Sequence, residues 1–168
     1  LGSVLCRLRS SGPGPRVALA GHMDEIGFMV KLVTKEGFVK FQTVGGWWDQ
    51  VLLGQRVVIE THKGEVVGVI GAKPPHLLPE DKRNTVVKVD DMFIDVGASS
   101  KEQVEELGVR PGDPIVPDSQ FTTMAVDGRV LGKAWDDRIG VAMFMAALER
   151  LNGKSLPCEL YGVGTVQE

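Results

Sequence analysis

Short β-rich runs punctuated by glycine crowd the stretch from Ile26 to Ile70, and this texture limits the fold more than any other feature of the chain. The runs "IGFMVKLV", "GFVKFQTV", "QRVVIET" and "EVVGVIG" are rich in β-branched and aromatic residues. "TKEG" and "THKG" between them each end in a glycine, Gly37 and Gly64, where a hairpin turn needs positive φ. Strands this short and this closely spaced predict a small barrel or sandwich. "MFIDVG" and "VRPGDPIV" read as further extended runs, the second turning at its Pro-Gly pair. Between them, "SSKEQVEELG" predicts a helix with Ser99 and Glu102 as a capping box and Gly108 as its stop. The proline-rich "AKPPHLLPEDKRNT" reads as a surface connection.

The flanks have a different period. "RVALA", Arg16 to Ala20, is an apolar run after the turn-former "SGPGP" and fits a strand buried on both faces. "DDRIGVAMFMAALERLNG" is the longest helical signal, with Asp136 or Asp137 to cap its start, Gly153 to end it, and so few polar positions that packing on most sides is expected. "PCELYGVGTV" is a second buried-strand candidate. Strand, helix and strand predict a three-layer α/β domain over residues 1–25 and 121–168, with the β-rich segment 26–120 inserted into it.

Composition narrows the classes. With 168 residues, 43% hydrophobic, the chain can build a real core. The net charge of −3 and the lack of any Lys/Arg run argue against a nucleic-acid surface. No window approaches the roughly 18 apolar residues of a membrane span, and no stretch has the order of a signal peptide, so the expectation is a cytoplasmic protein that uses no membrane. Cys6 and Cys158 read as two buried thiols rather than a disulfide framework. The opening "LGSVLCRLRS" and the closing "LYGVGTVQE" read as interrupted structure, the expectation being a fragment of a longer protein.

His22 and Asp24 stand where the first apolar run ends. Residues i and i+2 of an extended backbone point to one side, so an H-x-D pair can bring imidazole and carboxylate together. A metal-bound histidine commonly donates its other ring N–H to such a carboxylate. A histidine and an aspartate satisfying each other at a domain edge fit the same spacing. In "KAWDDRIG" one aspartate suffices as a cap. If Asp137 caps, Asp136 is free to face outward at the C-terminal edge of the sheet, where open α/β folds place ligands. Glu168 ends another strand and is expected at the same rim.

"GHMDEIGF", "GKAWDDRIG" and "GVGTVQE", with "VLLGQRVVI" and "GVIGAKPPH" between them, resemble the tetrahedral or glutamyl-aminopeptidase-like family of dinuclear metallopeptidases over essentially the whole chain. The resemblance implies a zinc-peptidase-like catalytic domain carrying an inserted PDZ-like barrel. It implies His22 and Asp136 as metal ligands, Asp136 bridging two ions, Asp24 as the carboxylate that orients His22, and Glu168 as general base. Two divalent ions per subunit, zinc or cobalt first and manganese as an alternative, are implied with it. Such a pair, roughly 3.5–4 Å apart, holds and activates water and polarises a peptide carbonyl. The implied activity is release of N-terminal residues from short peptides. The implied partner is a second copy of the chain, twelve in all, assembled through the barrel. Against the family pattern this chain lacks an N-terminal segment and the remaining metal ligands, so its shell would be incomplete and the fragment alone inactive.

A non-catalytic barrel module for binding or assembly is the alternative function. A glycosidase using Asp136 and Glu168 would leave His22 without a task. Of the remaining residues, His62 falls in a hairpin turn and His76 has no ligand role in view. Trp47 and Trp48 read as barrel core or a domain edge, and Met143 and Met145 as core packing. Adjacency to Asp24 would turn Glu25 away from the site on a strand.

Overall fold

In the computed structural model, which describes residues 2–167, the strands in chain order are β1 (Val4–Leu8), β2 (Arg16–His22), β3 (Gly27–Val33), β4 (Phe38–Val44), β5 (Arg56–Thr61) and β6 (Gly64–Ala72). They continue as β7 (Met92–Asp95), β8 (Pro114–Pro117), β9 (Thr122–Thr123), β10 (Val130–Leu131) and β11 (Glu159–Thr165). Helix α1 (Lys101–Glu106) lies between β7 and β8, and α2 (Trp135–Leu151) between β10 and β11. The chain divides into two compact units, Ile26–Leu131 and Leu1–Glu25 with Gly132–Glu168.

The first of these is a closed barrel in the order β3-β4-β7-β6-β5-β8, with β8 returning to β3. Every predicted β-run between Ile26 and Val116 is one of its strands. Alternation sends one face of each strand inward: Phe28 and Val30, Val39 and Phe41, Val57 and Ile59, Ile70, Ile94 and Ile115 form one core with Leu52, Met92, Val104 and Val109. The hairpin glycines Gly37 and Gly64 take φ of +88° and +121°, as their turns require. Helix α1 is capped one residue later than the sequence suggests. Ser100, not Ser99, accepts the Gln103 N–H, and Gln103 rather than Glu102 reaches back to accept the Ser99 N–H at 2.8 Å. Two adjacent serines offer two registers, and Val104, fully buried, fixes the one that points it into the core.

The second unit is a three-stranded sheet in the order β1-β11-β2, with β11 antiparallel to β1 and parallel to β2. Helix α2 packs on β2 and β11. The fit is close enough that a side chain at Gly162 would strike Phe144 and Leu148 of the helix at 2.6 Å. Three expectations about burial fail here. Cys6 on β1 is exposed and Cys158 half-buried, where two buried thiols are expected. Residues Arg16 to Ala20 of β2 are exposed rather than buried on both faces. Helix α2 buries only Phe144, leaving Met143 at 66% and Met145 at 59% exposure instead of in a core. Among the described residues one helix against three strands is too little protein to cover every apolar side of either element. Strand β11, central in the sheet, is the best covered of the three and alternates buried and half-buried positions.

Candidate functional site

The site grows out of the matched ends of β2 and β11. Their parallel register pairs Thr165 with His22, and the Met23 N–H donates to the Thr165 carbonyl at 2.8 Å, so both strands finish level. His22 is the last residue of β2, and the backbone then leaves the strand over residues 23–26. Glu168, three residues beyond β11, lies outside the described residues.

The aspartate pair arrives from α2. Asp136 and Asp137 have non-helical dihedrals, and regular helix begins only at Arg138. Asp137 caps it: its Oδ1 accepts the Gly140 N–H at 3.0 Å. That leaves Asp136 outside the helix, with a side chain that is 97% exposed yet reaches His22. Helix and strand can approach this closely because residue 21 is glycine. A Cβ there would stand 2.9 Å from the Val141 nitrogen and 2.9 Å from Asp137 Oδ2.

His22 thus has oxygen on both sides of its ring. Nδ1 faces the Asp24 carbonyl at 3.2 Å and the buried Asp24 Oδ1 at 3.4 Å. Nε2 faces Asp136 Oδ1 at 3.1 Å. A neutral imidazole carries one N–H. Donated toward Asp24, it leaves the Nε2 lone pair against a carboxylate oxygen, an arrangement that calls for a cation between them: a second ring proton or a metal ion. A separation of 3.1 Å also suits two ligands of one ion, each bonded at about 2.0–2.1 Å. Among the described residues no group of three His, Cys, Asp or Glu side chains forms a fuller metal shell.

Glu25 lies past the end of β2, where strand alternation no longer sets its direction, and takes a role that local reading misses. Its Oε1 lies 3.0 Å from Lys133 Nζ and 3.9 Å from an Arg138 terminal nitrogen, and Arg138 Nε donates to the Met23 carbonyl at 2.7 Å. The signal in the sequence is a cation on each side of "AWDD", which has meaning only once the partner strand end is known. His62 sits in the β5–β6 turn and His76 in an exposed turn of the proline-rich connection, and among the described residues neither joins a group of ligands. Trp47 stacks on Phe28 at 4.6 Å and donates its indole N–H to the Gly27 carbonyl at 3.0 Å, so it belongs to the barrel's packing. Trp48 is 75% exposed.

The sequence and fold that bring these two strand ends and this helix start together, with a closed barrel between them in sequence, are shared with a class of peptidases. The chain belongs to the M42 glutamyl aminopeptidase family, whose profile matches residues 2–168. It is 47% identical to the FrvX protein of Escherichia coli K12 over 100% of this chain and 46% of that protein. It superposes with a TM-score of 0.94 on the crystal structure of a TET aminopeptidase from a marine sediment Thaumarchaeota archaeon, 52% identical, covering 99% of this chain and 48% of that one. The TET1 peptidase of Pyrococcus horikoshii, which can assemble into a tetrahedron or a large octahedral shell, gives a TM-score of 0.83 at 38% identity, over 99% of this chain and 49% of that one. The chain therefore spans about half the length of these relatives.

Proposed function

We propose that the protein containing this chain is a dinuclear metal-dependent aminopeptidase that removes N-terminal residues from short peptides, and that residues 2–167 carry one part of its metal site. The observation that carries this reading is His22 with Nε2 aimed at Asp136 and Nδ1 at Asp24, an imidazole held in the direction of a ligand. The donor chemistry fits: one imidazole and one carboxylate suit zinc, cobalt or manganese. When bound, a pair of such ions supplies Lewis acidity, polarising the peptide carbonyl and lowering the pKa of water.

The chain's own residues have separate tasks. His22 holds one ion through Nε2 while Asp24 keeps the proton on Nδ1. Asp136, whose open side chain reaches His22, would hold metal beside it. Glu168 takes a proton from the attacking water. This half of the site would be inactive alone, the remaining ligands lying elsewhere in the protein. The catalytic unit is proposed to be a three-layer sandwich of which the sheet and α2 are one part, and the barrel a PDZ-like element through which twelve copies assemble. The shells formed by the Pyrococcus horikoshii relative support that assembly. The two free thiols, Cys6 and Cys158, support a cytoplasmic setting.

Stripping the full-length protein with a chelator should abolish release of N-terminal residues from tripeptides, and two equivalents of zinc or cobalt per subunit should restore it. Full hydrolysis by metal-free protein would end this reading. Replacing His22 by Ala should prevent recovery at stoichiometric metal.

A further inference from the structure

Three groups lie between the segment that carries His22 and the segment that carries Asp136, and none of them is a proposed ligand. Glu25 is three residues past His22, and its side chain is only 13% exposed. Lys133 stands three residues before Asp136, and Arg138 two residues after it. Both cations converge on the same oxygen, Glu25 Oε1, at 3.0 and 3.9 Å. Arg138 also donates through Nε to the Met23 carbonyl at 2.7 Å, so the backbone next to His22 is held by the residue that opens the regular part of α2. One nearly covered carboxylate therefore grips both flanks of the aspartate turn.

We infer that Glu25 is a positioning residue: through Lys133 and Arg138 it locks the two segments together at the spacing that lets His22 and Asp136 share one metal ion. This rests on the metallopeptidase reading above and adds to it a group that touches neither metal nor substrate. The physical need is plain at the site. His22 ends β2 and the backbone beyond it, residues 23–26, lies outside any strand, while Asp136 and Asp137 lie outside regular helix, so the pair keeps its separation only if something else fixes this irregular backbone. Outer partners of metal ligands typically change metal affinity 10–100-fold when removed.

The test uses the full-length protein stripped of metal, with cobalt(II) as probe. Glu25→Gln keeps shape and removes charge. It should weaken cobalt binding about 10–100-fold and shrink the rise in melting temperature that cobalt produces, while the metal-free melting temperature stays near that of the parent. Glu25→Asp should fall between the two. A purely structural carboxylate would instead lower the metal-free melting temperature and leave cobalt affinity unchanged, and that result overturns the inference while the metallopeptidase reading stands. Should Glu25→Gln fail to fold, Lys133→Gln removes the shorter of the two contacts from a more exposed position and should weaken cobalt binding about tenfold; parental affinity there is equally fatal. If the parent protein itself takes up no cobalt, both readings fall together.

Discussion

The barrel and the sheet-helix unit divide labour in opposite ways. The barrel buries nearly every inward side chain, closes its hydrogen-bond ladder on itself and holds no candidate ligand in its core. The sheet-helix unit buries Phe144, Leu156 and Leu160, exposes apolar residues on both β2 and α2, and carries every candidate site residue that the structure describes. Stability in the first comes from packing, whereas in the second the arrangement depends on a few polar contacts at strand and helix ends.

That contrast can be broken most directly in the two hydrophobic sets. Phe41→Ala in the barrel should cost about 3–5 kcal/mol in chemical denaturation, the range for emptying a well-packed aromatic site. Met143→Ala on α2, 66% exposed, should stay within about 0.5 kcal/mol. Equal losses would mean that the two units are not packed differently. Next in size is Gly21→Ala, whose new methyl meets the backbone of α2 at 2.9 Å. About 1–3 kcal/mol is expected, along with weaker cobalt binding, because β2 and the aspartate turn must separate; an unchanged melting curve would show that this close approach carries no weight.

Asp137→Ala should cost about 1 kcal/mol through loss of the cap, while Asp137→Asn, which can still accept the Gly140 N–H, should cost much less. If both variants melt alike, the cap is not what holds the start of α2. The smallest effect lies on the sheet. The hydrogen bond from Arg7, and then that from Tyr161, holds the Glu159 carboxyl below its ordinary value of 4.5. A depressed carboxylate stabilises the fold above that ordinary value and loses its contribution as pH falls through the folded one. Glu159→Gln should therefore lower stability slightly at neutral pH and flatten the acid side of the curve, parent and variant converging as pH falls through the folded pKa. Parent and variant curves that stay parallel down to the acid transition would remove Glu159 from the account.

How far the sequence reaches differs in the two regions for the same reason. In the barrel, the runs from Ile26 to Val116 declare their strands through β-branched and aromatic residues and their turns through glycine, both local signals. Even there, neighbouring serines hide which one caps α1, since the choice depends on where Val104 must point. In the other unit the strand, helix and strand are legible, as is Asp137 rather than Asp136 at the cap if one aspartate is to stay free. The exposure of β2, of Met143 and of Met145 is not, because an apolar pattern says what a residue would bury against only when that partner is present.

The amino-acid order by itself determined the barrel's strand runs, the long helix and its flanking strands, the spacing of His22 and Asp24, and the surplus aspartate ahead of α2, since each depends on neighbours within a few residues along the chain. Only the tertiary structure decided that His22 meets Asp136 at 3.1 Å across 114 positions, that Gly21 is the gap through which helix and strand meet, and that Glu25 faces Lys133 and Arg138. Those contacts join segments separated by an entire barrel, and no local pattern specifies the distance between groups whose connection runs through another fold.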